Sequence, residues 1–224
     1  MNFKGELKKL GTCNVAPLRE RILSKGDELW TRSTWRQEKF PAHTYTQAVD
    51  LVFDRDGRHQ NPTTQEPFYE FEDVLQPVLA KVANHYNNSP TGRRLKKKNG
   101  SGYFIRVIFA KLLPGGSIPP HGDDGFSLMH AHRVHIPIIS DGKSMFTCGE
   151  SSRVLGEGEI WEINNRKTHA VQNDSENFRV HVIADWVIAG ERCCCGKRLR
   201  PKGSCSPKEC HDTDWVDQCC TCLD

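Results

Sequence analysis

Residues 118–138 read IPPHGDDGFSLMHAHRVHIPI. Four histidines, two adjacent aspartates and an arginine stand among Ile, Val and Pro residues that would otherwise make an ordinary apolar strand. A packed core avoids unpaired charge, because burying it without a partner is costly. A solvated loop has no use for the flanking apolar residues. The combination reads as a set of ligands carried on a strand.

Side chains alternate between the two faces of a strand. In HRVHIPII (132–139), Arg133 and His135 therefore point one way, and Val134, Ile136 and Ile138 the other. His130 and His132 join the apolar set if the strand extends that far back. The pattern recurs in FRVHVIADW (178–186), where Arg179 and His181 oppose Phe178, Val180, Val182, Ala184 and Trp186. Either pair alone fits a solvated outer face. Two such pairs projecting into a barrel mouth would suit a dicarboxylate, because guanidinium grips carboxylate in a two-pronged fork.

Outward from these two segments, everything after Gly102 has the texture of short strands. YFIRVIFAKLL, KSMFTC, SRVL, EIWEIN and HAVQN are separated by turn signals at 114–116, 141–142, 156–158 and 173–175. Six or more evenly spaced strands predict a mainly β fold, a sandwich or barrel of the jelly-roll kind. Before them, Pro17 can open a short helix through Leu18, Ile22 and Leu23, and HTYTQAVDLVFD (43–54) reads as a strand. FEDVLQPVLAKVANHY (71–86) has apolar residues at helical spacing, with Pro77 inside it as a kink or a true start. GRRLKKKNGSG (92–102) reads as a basic, solvated loop.

The totals set limits. A chain of 224 residues suits one sizeable domain with a small appendage. The 31 basic and 28 acidic residues balance too closely to point to nucleic acid. No apolar run approaches the roughly 20 residues of a membrane span. The charged start MNFKGELKKL lacks an apolar signal core, so a cytoplasmic protein is expected. Eight of the 10 cysteines fall after residue 192. That shift predicts three parts: an N-terminal extension (1–40), a jelly-roll domain (41–190) and a Cys-rich tail (191–224).

His121-Gly122-Asp123 follows an extended SIPP segment, so its imidazole and carboxylate share one side of the chain. A second histidine, His169, lies 48 residues on, enough to cross several strands and return. Two imidazoles and one carboxylate make a facial set for Fe(II) that leaves positions open. A lone His-x-Asp is a weak signal. His121, Asp123, His169 and then Arg179 form a much stronger ordered series.

On IPPHGD, HRVHIPI, GEIWEINN, THAVQN and FRVHVIADW, in that order, the chain resembles the aspartyl/asparaginyl β-hydroxylase family of Fe(II)- and 2-oxoglutarate-dependent oxygenases. FPAHTYTQAVDLVFD adds to the likeness, which covers 43–186, about two thirds of the chain. The resemblance implies a double-stranded β-helix, a cupin-like jelly roll with the metal at its mouth. It implies that His121 and His169 bind iron, that Arg133 and His135 hold the C1 end of 2-oxoglutarate, and that Arg179 grips the far carboxylate. The eukaryotic hydroxylase that names the family lacks the carboxylate ligand; this chain has Asp123 there, so a full triad is expected. The implied activity is a hydroxylase acting on an aspartyl, asparaginyl or prolyl residue, or on a free amino acid or related small molecule. His43 is a further candidate near the mouth, while Trp161 and Glu162 read as strand packing.

The tail needs its own account. Its eight cysteines and His211 could ligate zinc, pair as disulfides in an oxidising compartment, or sit in a segment without fixed structure. Their spacing matches no standard pair of C-x2-C elements. The competing reading of the whole chain is a non-catalytic metal-binding jelly roll with a zinc-dependent interaction tail.

Overall fold

The strands of the second half form because apolar side chains recur at every other position, and each finds a layer to pack against. The computed structural model describes residues 5–32, 37, 43–53, 62–123, 128, 131–192, 199 and 201–203. In chain order they form β1 (Leu7–Thr12), α1 (Ala16–Ser24), α2 (Glu28–Thr31), β2 (Thr46–Phe53), β3 (Thr63–Thr64), α3 (Glu66–Tyr69), α4 (Glu72–Asn87) and α5 (Pro90–Asn99). There follow β4 (Tyr103–Leu112), β5 (Ser117–His121), β6 (His132–Ile139), β7 (Ser144–Cys148), β8 (Ser151–Val154), β9 (Glu159–Ile163), β10 (His169–Asn173) and β11 (Arg179–Val187). A large sheet has the order β1-β9-β6-β11-β4-β2-β3, and a small one the order β5-β10-β7-β8. Paired strands are antiparallel throughout. This is the jelly roll that the spacing predicts.

The large sheet has two distinct faces. Its back face carries Val107, Phe109, Val134, Ile136, Val180 and Val182, all buried against Leu18 and Ile22 of α1 and Leu75, Leu79 and Val82 of α4. Phe71 meets Phe109 edge-on, with ring centroids 5.0 Å apart. The front face looks across at the small sheet, where Phe146, Cys148 and Val171 pack with Leu112, Trp161 and Ile163. Between these layers lies a cavity of about 390 Å³. The strand-face argument therefore holds, with helices burying the apolar rows and the Arg-x-His rows facing inward.

The basic segment differs from its expected loop. Residues 90–99 form α5, whose start is capped by Ser89 Oγ accepting from the Gly92 backbone N–H at 3.0 Å. Only Leu95 supplies a large buried apolar side chain, which is why no helical periodicity shows in the sequence. Gly92 is required by close packing: a Cβ there would lie 1.9 Å from the Tyr86 carbonyl oxygen. Along α4, Pro77 faces solvent, so water can satisfy the Asp73 carbonyl that loses its helical partner.

Residues 5–32, read as an extension, contribute to the body of the fold. β1 pairs with β9 at the sheet edge. Glu6 accepts hydrogen bonds from Ser151 Oγ, Lys167 Nζ and the Glu150 N–H. Those donors hold its carboxyl at a pKa of about 2. At the other end, Leu199 packs against Tyr103, Ile105 and Val187, and its N–H donates to the Glu191 carbonyl. The eight tail cysteines and His211 lie outside the described residues.

Glu191 also closes a buried ionic bridge. His132 Nδ1 lies 2.6 Å from Glu162 Oε1, and Nε2 lies 3.0 Å from Glu191 Oε2. Carboxylates only accept, so both ring nitrogens donate and the imidazole is charged. Burial opposes that charge, but the two carboxylates outweigh it and push the His132 pKa up to about 9. Tyr86 covers the ring at 4.5 Å, Lys8 Nζ lies 3.9 Å from Glu162, and His85 is a further titratable group nearby. A raised histidine pKa stabilises the fold fully below the unfolded value, about 6.5, and that contribution disappears as pH rises through 9. The change is on the order of 3 kcal/mol. Urea midpoints should fall between pH 6.5 and 9.5 in the wild type and much less in His132→Gln. Equal pH profiles would show that the bridge is not the titrating element.

Candidate metal and cosubstrate site

The two sequence-distant histidines meet because β5 and β10 are neighbours. His121 and His169 are directly opposed across that pair, with ring centroids 4.3 Å apart. His121 Nδ1 lies 2.8 Å from the Pro119 carbonyl oxygen, and His169 Nδ1 lies 3.0 Å from that of Lys167. A carbonyl can only accept, so each Nδ1 carries the proton and each Nε2 presents its lone pair. Burial lowers the His169 pKa, which favours the neutral, ligating form.

Asp123 completes the cluster. Its backbone N–H donates to the Asn165 carbonyl at 3.0 Å, which fixes the turn after β5. Ligand atoms of His121, Asp123 and His169 all lie within 4.8 Å of one another, and they are the one such group of three or more among the described residues. Burial raises the carboxyl pKa of Asp123, but Arg133 and the two imidazoles outweigh it, and the net direction is down. Two imidazoles and one carboxylate fit a divalent iron site.

Arg179 lies deeper in the same cavity. It is 4% exposed, and among the described residues its Nε has no hydrogen-bond partner. Its Nη1 reaches the His181 ring nitrogens at 2.8 and 3.0 Å. Among the described residues, no carboxylate forms an ion pair with it. Burial alone pulls its pKa down to about 10. His135 and His181 are likewise neutral, driven far below the ordinary histidine value by burial and then by adjacent arginines. His135 Nε2 is buried without a partner. His43, Ile108, Leu112, Ile118, Phe146 and Ile183 line the same cavity.

Arg133 sits differently from Arg179. Its Nε and Nη2 donate to the two carboxylate oxygens of Asp185, each at 2.8 Å, and its Nη1 donates to Asp123 Oδ2 at 2.5 Å. Asp185 escaped the sequence reading, which gave it no role in FRVHVIADW. Alternation from Arg179 through His181 and Ile183 places it on the cavity face. A carboxylate in an otherwise buried strand needs a cation, and that was the usable signal.

A jelly roll whose neighbouring strands bring two imidazoles and a carboxylate together beside a cavity is a double-stranded β-helix with a candidate metal site. A family profile described as Aspartyl/Asparaginyl beta-hydroxylase matches residues 68–188, more than half of the chain, and the protein belongs to that family. A search of curated proteins finds no significant match.

Solved structures share the fold. The non-heme alpha-ketoglutarate-dependent epimerase SnoN from nogalamycin biosynthesis aligns over 89% of this chain and 82% of its own, with 10% identity and a TM-score of 0.53. The non-heme monooxygenase ThoJ, as a nickel complex, aligns over 90% and 84%, with 11% identity and a TM-score of 0.50. An oxidoreductase of the 2OG-Fe(II) oxygenase family from Burkholderia pseudomallei aligns over 63% of this chain, with 14% identity and a TM-score of 0.49. The match spans 66% of that protein, just under two thirds of its length. No helix among the described residues is long and apolar enough to cross a membrane.

Proposed function

We propose that the protein is an Fe(II)- and 2-oxoglutarate-dependent dioxygenase that hydroxylates an aspartyl, asparaginyl or prolyl residue, or a related amino-acid-like molecule. One observation carries the reading: a buried arginine without a carboxylate faces the same cavity as the His121, Asp123 and His169 cluster. A buried unpaired cation is costly, so a fold that keeps one is prepared for an anion.

His121 and His169 would offer their Nε2 atoms and Asp123 a carboxylate, leaving other positions on an iron ion open. When bound, iron would couple oxidative decarboxylation of 2-oxoglutarate to oxygen insertion into a C–H bond. Arg179 receives the cosubstrate carboxylate remote from the metal. His135 Nε2 is free to hydrogen-bond its nearer end. Ile118, Phe146, Val171 and Ile183 keep water from the chain between the two carboxylates. The side chain to be hydroxylated enters beside the metal cluster, on the side of the cavity lined by Arg106 and Phe53.

The test is succinate formation from 2-oxoglutarate by the purified protein with Fe(II) in air. Peptides containing Asp, Asn or Pro are then scanned by mass spectrometry for one added oxygen atom. Succinate above the metal-only control and a peptide product are expected. Metal binding without succinate formation would instead favour a non-catalytic metal-binding module.

A further inference from the structure

We propose that Asp185 is a positioning residue of the metal site. It clamps Arg133 so that the guanidinium holds Asp123 toward the two histidines, and it gives the cluster the negative charge that attracts a cation. The inference rests on the reading of His121, Asp123 and His169 as metal ligands.

The geometry is specific. Asp185 is fully buried, and both its oxygens accept from Arg133 in the two-pronged arrangement. The two residues are direct cross-strand partners between β11 and β6. On its other side Asp185 is paired with Arg106 of β4, but the Arg106 guanidinium lies over the Phe53 ring, 4.4 Å from its centroid. The β11–β4 register slips immediately after Asp185. Such irregularities re-aim side chains and collect beside active sites.

Charge counting gives the clamp its purpose. Arg133 and Asp123 alone sum to zero, and such a pair beside two imidazoles has little attraction for a divalent ion. Adding Asp185 leaves one net negative charge in a buried setting, where charge acts strongly. The clamp also stops Arg133 from turning both of its prongs onto Asp123 and competing with the metal. Three of its five N–H groups are already committed to the two aspartates, so Arg179 is the guanidinium left for the cosubstrate.

Groups that orient a metal ligand typically change metal affinity by about 10- to 100-fold when removed. Co(II) titration of the full chain with its accessible thiols first alkylated, so that the tail cysteines take no metal, followed by visible absorption bands without 2-oxoglutarate, reads this directly. Asp185→Asn should bind Co(II) at least tenfold more weakly than the wild type, with altered bands. A purely structural ion pair makes a different prediction. Replacing both partners together (Arg133→Met with Asp185→Leu) should preserve the fold, because apolar residues substitute well for a buried pair. That double variant, with wild-type circular dichroism, should still lose Co(II) affinity. Co(II) affinity within twofold of wild type in either folded variant would overturn the positioning role. A wild type that takes up no Co(II) would overturn the metal site and this inference with it.

Discussion

Replacing His169 with alanine is expected to lower Fe(II) or Co(II) affinity by more than about 100-fold and to abolish 2-oxoglutarate turnover. The number follows from rank: residues that only orient ligands already contribute about 10- to 100-fold, and the proposed site makes His169 itself a donor. Two remaining groups cannot define a face of the metal's coordination sphere, so the positions needed by the cosubstrate are lost as well. The ring also stacks against Phe146 with centroids 6.1 Å apart, and the residue is 5% exposed. The variant therefore needs a fold check by circular dichroism. His169→Gln keeps most of the volume and should fail equally in metal binding. Full turnover in a folded His169→Ala protein would remove the metal centre from the mechanism.

The pair His121 and His169 was legible because both histidines belong to local patterns that the fold then brings face to face. The strand alternation in HRVHIPII and FRVHVIADW was legible for the same reason: period-2 patterning needs only neighbours in sequence. What escaped depends on registry between distant segments. Asp185 acquires its meaning only from lying opposite Arg133, and β1 only from pairing with β9. The strand of residues 7–12 is half-exposed and holds Lys8, Lys9 and Gly11, so nothing local marks it as part of the sheet. α5 stayed hidden because it buries one large apolar side chain and otherwise presents solvated cations.

The same reasoning separates the two arginines, which look alike in sequence. Each begins an Arg-x-His pair on a strand, yet one is neutralised by aspartates and the other is left without a carboxylate. In the proposed reading, the guanidinium with two carboxylates supports the metal cluster and the one without is held ready for a ligand.

That asymmetry leads to the prediction for Arg179→Met, which should move affinity and stability in opposite directions. Without 2-oxoglutarate, the wild type holds a buried cation whose hydrogen-bonding neighbour among the described residues is His181. Replacing such a charge with an apolar side chain of similar length is neutral or stabilising, so the variant should melt at the same temperature as the wild type or higher. With 2-oxoglutarate, the wild type gains a charge-assisted pair worth about 1.5–3 kcal/mol, which the variant cannot make. Its dissociation constant should therefore rise roughly 10- to 150-fold. At 100 times the wild-type Kd the cosubstrate adds about 2.7 kcal/mol to wild-type stability; in Arg179→Met most of that gain should vanish. Thermal melts of both proteins, with metal and with or without 2-oxoglutarate, read the two effects together. A variant that is less stable when free and equally stabilised by 2-oxoglutarate would mean that Arg179 serves the fold, and that the cosubstrate carboxylate is held elsewhere.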